Sequence, residues 1–234
     1  MTLHFNFTTY YYLFGTVILF FLYWRIRSIL KKDALNRFTK LFGNVVLFCV
    51  IATTIYSVFF ISFGNNPFYL WLGNTIGQPF LIVGFVYGLS IFFLVIKPKI
   101  SSSKIVIPLA ILGAVLCFFL HLKYPFSPSF DKYGFLHWNA SLLVGLNYSI
   151  FSVIGFLPLS IALLIKGIKN KEIRFRSLFL SFALILFIVD SITFSMSESR
   201  NLYIFGNICV NLGFIFLITA YFLQRGKSRS ISDY

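Results

Sequence analysis

Seven apolar runs, each roughly 17 to 25 residues long, constrain this chain more than any other feature. They lie near 7–24, 41–63, 74–96, 105–121, 141–165, 178–196 and 202–223. An α-helix rises about 1.5 Å per residue, so about 20 apolar residues cross a hydrocarbon core of about 30 Å. Inside lipid a segment must satisfy its own backbone hydrogen bonds, which leaves helices as the structure for runs of this length. The expectation is an all-α, seven-transmembrane helix bundle. Composition agrees: 59% of the residues are hydrophobic and 11% charged, which excludes a water-soluble domain. Residues 1–224 are expected to form a single seven-helix membrane domain, and 225–234 a short basic tail. The first ten residues, MTLHFNFTTY, hold no Lys or Arg and no small-residue cleavage pattern follows the first run, so that run is expected to be retained.

The net charge of +14 is distributed unevenly. Arg25, Arg27, Lys31, Lys32, Arg37 and Lys40 follow the first run; Lys97, Lys99 and Lys104 follow the third. Lys166, Lys169, Lys171, Arg174 and Arg176 follow the fifth, and Arg225, Lys227 and Arg229 lie in the tail. The alternate connections hold only Lys123, Lys132 and Arg200. Basic residues accumulate on the cytoplasmic side, so the N-terminus is expected outside and the C-terminus in the cytoplasm. The charge is thereby accounted for by topology and by attraction to anionic headgroups. Membrane lipid is the expected partner, and no nucleic acid is expected.

The third run carries Gly73, Gly77, Gly84 and Gly88, whose spacing places them on one helical stripe suited to close helix packing, within the chain in preference to across a dimer. Pro79, Pro108 and Pro158 interrupt runs three to five, each removing a backbone donor. Cys49, Cys117 and Cys209 sit in apolar runs without metal-ligand spacing and read as packing residues, and no cofactor is called for.

The polar residues inside the runs cluster toward the outer side. Asn74 and Gln78 form an i, i+4 pair beside the glycine stripe; Asn207 and Asn211 form another in the seventh run. Asn147 lies slightly deeper in the fifth, and His121 closes the fourth. Asp190 is the one acid within a run, LFIVDSITFS, with Thr193 and Ser197 on its helical face. An aspartate at the centre of a membrane helix costs about 2.5–3.5 kcal/mol on insertion scales, and such residues usually face the bundle interior. The expectation is an outward-opening polar pocket for a small ligand, built from Asp190, Asn74, Gln78, Asn147, Asn207, Asn211, His121 and Thr193. The competing reading makes the same groups hydrogen-bonded glue between helices. The outer stretch KYPFSPSFDKYGFLHWNA, with Trp138, reads mainly as an interfacial aromatic belt able to cap such a pocket.

Several familiar seven-helix classes do not fit. The seventh run has no lysine to hold retinal, the third ends LVIKPK with no receptor-type acidic-Arg-aromatic triplet, and the histidines number three, too few for a zinc hydrolase. An enzyme is therefore not expected. A transporter repeat would relate helices 1–3 to 5–7, and LGNTIGQPFL and FGNICVNLGF share only a short Gly-Asn opening and a later amide.

Helices 4 to 7 resemble the N-terminal seven-helix sensor region that precedes many bacterial histidine kinases. The features are IVIPLAILGAVLCFFLHL with Pro108 and His121, the Gly134 to Trp138 loop, the EIRFRS run and the ending AYFLQRGK. The resemblance implies ligand sensing outside and signalling through helix 7. No output domain follows helix 7 before Tyr234, so a separate cytoplasmic signalling partner is expected. The sequence thus reads as a sensor-like or receptor-like protein of a bacterial inner membrane, with a small-solute or proton-coupled transporter, or a structural role, as the alternatives.

Overall fold

The computed structural model describes residues 7–32, 34–35, 37–64, 66–96, 103–130, 136–171, 173–195 and 200–222. Calls that fall on Lys97, Lys99, Lys132, Gly134, Ser197 and Glu198, and on the tail 225–234, lie outside the described residues. The helices are α1 (Phe7–Lys32), α2 (Arg37–Phe63), α3 (Pro67–Ile96), α4 (Ser103–Lys123), α5 (Leu142–Lys169), α6 (Arg174–Ser195) and α7 (Arg200–Phe222). All seven are long and apolar enough to cross a membrane, and the chain is an integral membrane protein. Between α4 and α5 a two-stranded antiparallel hairpin, β1 (Ser129–Phe130) and β2 (Leu136–His137), pairs Ser129 with His137 and Phe130 with Leu136.

Local chemistry sets the helix limits. Asn66 accepts a 3.0 Å hydrogen bond from Phe68 N at its side-chain oxygen, and Pro67 supplies the first residue of α3, a position where a missing N–H costs nothing. Ser141 caps α5 by accepting from Val144 N at 3.4 Å. At the other end the helices run past their apolar runs: α1 continues through Arg25 and Arg27 to Lys32, and α2 starts at Arg37. These basic residues therefore extend helices instead of filling a loop. None of the three prolines breaks its helix; Pro79, Pro108 and Pro158 lie inside α3, α4 and α5.

The packing order is not the chain order. Around the bundle run α1, α2, α3, α5, α6 and α7, forming a ring in which α5 packs directly on α3, while α4 lies outside against α3 and α5. The ring closes thinly, because α1 and α7 meet only sparsely. Helix α4 buries a narrow stripe, Val106, Ala110, Gly113, Cys117 and His121, and exposes Ile111, Leu112, Val115, Phe119 and Leu122 on faces suited to lipid.

Glycines permit these approaches. The Phe59 and Tyr56 side chains of α2 would meet a β-carbon on Gly73 and on Gly77 at 2.8 Å. Gly84 also faces α2, whereas Gly88 faces Gly155 and Phe156 of α5. The stripe is thus used within the chain, split between two partners because α2 and α5 cross α3 at different heights. The tightest fit is at Gly155, whose missing β-carbon is occupied by the Phe85 backbone carbonyl of α3.

A second device joins α5 to α6. The Ser160 and Ser181 hydroxyls lie 2.8 Å apart, and each also lies within reach of the opposite carbonyl, Ser160 Oγ 3.1 Å from Ser181 O and Ser181 Oγ 2.9 Å from Ser160 O, so their two protons are shared among three acceptor contacts. Higher up, Ser149 Oγ donates to Ser191 O at 2.7 Å and Ser152 bonds the Ser191 hydroxyl. These small hydroxyls satisfy one another where water is absent and let the backbones come close.

Gly155→Ala is expected to force α3 and α5 apart and to cost about 1–3 kcal/mol as overpacking against unyielding backbone. Gly84→Ala, whose β-carbon would find contacts no closer than 3.4 Å, is expected to melt with the parent. Thermal unfolding of the purified chains in detergent, followed by intrinsic fluorescence, checks the pair.

Candidate functional site

The six ring helices enclose a cavity of about 160 Å³ to which α4 contributes no residue. Along α7 it reaches from Tyr203 to Leu217, and along α2 from Phe42 to Tyr56. Each stretch covers about 21 Å at the rise of an α-helix, so the cavity is a narrow slot along the bundle axis. Its wall changes character with depth. Toward the end that carries the hairpin stand Tyr11, Tyr12, Tyr56, Asn74, Gln78, Tyr148, Asp190, Thr193, Tyr203 and Asn207; toward the basic end stand Leu19, Phe42, Val45, Val46, Leu184, Phe214 and Leu217.

Asp190 is the only carboxylate side chain among the described residues. Its position depends on Gly206 of α7: a β-carbon there would lie 3.1 Å from Asp190 Oδ1 and would collide with Thr193 Oγ1. The absence of that carbon lets the polar face of α6 sit against α7. Thr193 Oγ1 donates to the Asp190 carbonyl at 2.8 Å, which satisfies the hydroxyl within its own helix. The Asp190 carboxyl has no hydrogen-bond partner among the described residues, while Tyr11, Tyr12, Tyr148 and Tyr203 lie within electrostatic range of it.

Asn74 and Gln78 stand on the α3 wall and are both buried. Asn74 Nδ2 lies 3.3 Å from His121 Nε2, and His121 Nδ1 lies 2.8 Å from the Cys117 carbonyl. A carbonyl only accepts, so Nδ1 carries the proton and Nε2 is left to accept from the Asn74 amide. This neutral tautomer satisfies both contacts. Cys117 Sγ adds a weak donation to Gln78 Oε1 at 3.9 Å.

The structure therefore brings Asp190, Asn74, Gln78, Thr193 and Asn207 to one cavity and sets the other three expected residues apart from it. His121 is fully buried on α4, outside the ring, and braces Asn74 from behind. Asn211 donates to the Asn207 carbonyl at 2.8 Å and does not reach the wall. Asn147 lies one turn from Phe151, the residue that packs on Gly113 of α4, so its stripe faces the α3–α4 side. Both side-chain polar atoms of Asn147 are buried without a hydrogen-bond partner. Topological depth fixed the height of these residues; helical phase fixed which way they turn.

Sequence reasoning missed the tyrosines and Gly206. The tyrosines were scattered over four helices and carried no spacing signal, while Gly206 was visible as part of the Gly-Asn pair that opens α7. The hairpin also behaves differently from a boundary belt. Trp138 is only 2% exposed and lines the slot, packed on Tyr56, Phe60 and Phe126 with ring centroids 6.3, 5.9 and 6.4 Å away. The hairpin is tied to α1, because Leu136 N donates to Thr8 Oγ1 at 3.1 Å. It is also tied to itself: Asn139, with a left-handed φ of 53°, donates to Ser127 O at 2.9 Å and to Ser129 Oγ at 3.1 Å. Trp138 thus forms part of the slot wall at its hairpin end.

Gly206→Ala is expected to push on Thr193 and Asp190 together and to cost about 1–3 kcal/mol. Adding Thr193→Ala, which removes the colliding hydroxyl, should return much of that loss, so a double-mutant cycle on melting should give a favourable coupling. Purely additive effects would mean that α6 and α7 do not meet at this point.

Neither a scan against protein-family models nor comparison with curated proteins and with solved structures finds a match to this chain.

Proposed function

We propose that the chain is a sensor-like membrane receptor that holds a small ligand in the axial slot, with its hairpin end outside and its basic end in the cytoplasm of a bacterial inner membrane. The observation that carries this reading is the lone Asp190 carboxylate, which shares a cavity with Asn74, Gln78 and Asn207 and has no protein partner among the described residues. A carboxylate kept only as helix glue should be spent on donors from neighbouring helices, as Ser149, Ser152, Ser160, Ser181 and Ser191 are. The likeness of α4 to α7 to kinase sensor regions supports the same reading, with α7 passing ligand occupancy to a separate cytoplasmic partner. Small-solute or proton-coupled transport asks for a polar route toward the basic end, where the slot is walled by Phe42, Val45, Val46, Leu184 and Leu217.

Two measurements test this. A thiol introduced by Ser127→Cys at the exposed hairpin should react with an impermeant maleimide added to intact cells, and one from Leu35→Cys in the exposed α1–α2 turn only after permeabilisation. A photocrosslinker at Lys171 should capture a cytoplasmic protein whose yield changes several-fold in Asp190→Asn at equal receptor level. Capture of no partner, together with parent-like behaviour of Asp190→Asn, would overturn the receptor reading.

A further inference from the structure

We infer that the ligand of this slot is a single-chain amphiphile with a protonated amine head, taken from the bilayer through the seam between α1 and α7. The inference rests on the receptor reading of the cavity and gives its ligand a chemical class. Three independent observations lead to it.

The first is the shape and grading of the slot. A cavity of about 160 Å³ that runs about 21 Å along the bundle axis suits one extended chain. Its basic-end half is lined by Val46, Leu184 and Leu217, so that length can hold only apolar matter without leaving polar groups unpaired. A compact polar solute would leave this half empty.

The second is the donor and acceptor balance at the polar end. Asn74 donates through its amide nitrogen to His121 at 3.3 Å, Asn207 donates to the Tyr203 carbonyl at 2.9 Å, and Thr193 donates to the Asp190 carbonyl at 2.8 Å. The Asn207 side chain also meets the Tyr203 hydroxyl, and the Asp190 carboxyl has no hydrogen-bond partner among the described residues. The carboxyl of Asp190 stands there beside the hydroxyls of Tyr11, Tyr12, Tyr148 and Tyr203, which can accept as well as donate, and an ammonium, with three donors and no acceptor, can use all of them as acceptors. A carboxylate head would gain no such pairing with Asp190 and would be repelled by it once ionised.

The third is the route. Every other junction of the ring is broad, but α1 and α7 meet only sparsely. At that junction the Phe214 ring lies over Gly15, 3.4 Å from where a β-carbon would stand. Phe214 also lines the slot. The neighbouring outer faces are apolar: Phe14 and Val17 of α1 and Leu212 and Ile215 of α7 are exposed. Rotation of the Phe214 ring would open the slot toward acyl chains.

The test uses the full chain in phosphatidylcholine nanodiscs and tritiated dodecylamine, whose extended chain matches the roughly 16 Å from the level of Gly206 to Leu217, with unlabelled dodecylamine, dodecanoic acid and butylamine as competitors. Saturable binding near one per chain is expected, displaced by dodecylamine and not by the other two. Asp190→Asn should weaken it by about tenfold or more, since it removes the group that pairs with the head. Val46→Phe, which fills the tail region and leaves Asp190 in place, should abolish it even if Asp190→Asn proves unstable. Phe214→Ala should speed exchange several-fold with a smaller change in affinity. Displacement by butylamine as effective as by dodecylamine, with dependence on Asp190, would overturn the amphiphile and leave the small-ligand receptor standing. Equal displacement by dodecanoic acid would overturn the amine head. Absence of saturable binding would overturn the inference without touching the link between Asp190 and a cytoplasmic partner.

Discussion

The backbone contact between Gly155 of α5 and the Phe85 carbonyl of α3 is the feature on which the architecture turns. Helices consecutive in the chain would pack α3, α4 and α5 side by side, and the polar residues of α3 would then face α4 alone. Because α5 has no β-carbon at residue 155, it reaches α3 directly and displaces α4 to the outside. The six-helix ring, and the slot down its axis, follow from that displacement. The Ser160–Ser181 and Ser149–Ser191 contacts then hold α6 against α5, and Gly206 sets α7 against the polar face of α6. Lipid supplies no hydrophobic drive between helices, so close packing at small residues and satisfied hydroxyls carry the association.

Much of this was legible in the sequence. Run length alone gives seven helices, since each apolar stretch matches the membrane thickness. The Gly73–Gly77 and Gly84–Gly88 pairs identify α3 as a helix that others approach closely. What the sequence does not reveal is helical phase relative to partners that only the fold assigns. His121, Asn147 and Asn211 lie at a suitable depth and turn away from the slot, because α4 lies outside the ring and because the stripes of Asn147 and Asn211 face elsewhere. The same ignorance of phase hid Tyr11, Tyr148 and Tyr203, which come from three helices and meet only once the ring closes. The serines of α6 are a related case. Beyond Arg174 and Arg176 its half toward the basic end reads as apolar apart from Ser177 and Ser181, and both are buried, Ser181 in bonds that no single-helix pattern reports.

Asp190 ties these levels together. Its neighbour Gly206 yields the room it occupies, and Trp138 lines the same cavity. The surrounding amides are held by the protein, Asn74 by His121, Gln78 by Cys117 and Asn207 by the Tyr203 carbonyl. On the proposed reading, a carboxyl so placed is kept for a cation, at a cost in stability that a purely architectural residue would have no reason to carry. That is the physical content of the receptor reading, and it depends on where one carboxyl group points.

The most direct measurement is solid-state NMR on the chain in lipid bilayers with carbon-13-labelled aspartate and glycine, using Asp190→Asn to assign the side-chain signal. The account predicts a through-space cross-peak between the Asp190 carboxyl carbon and the Gly206 α-carbon, and none from that carboxyl to lipid acyl chains. A carboxyl signal that correlates with acyl chains and not with Gly206 would contradict it.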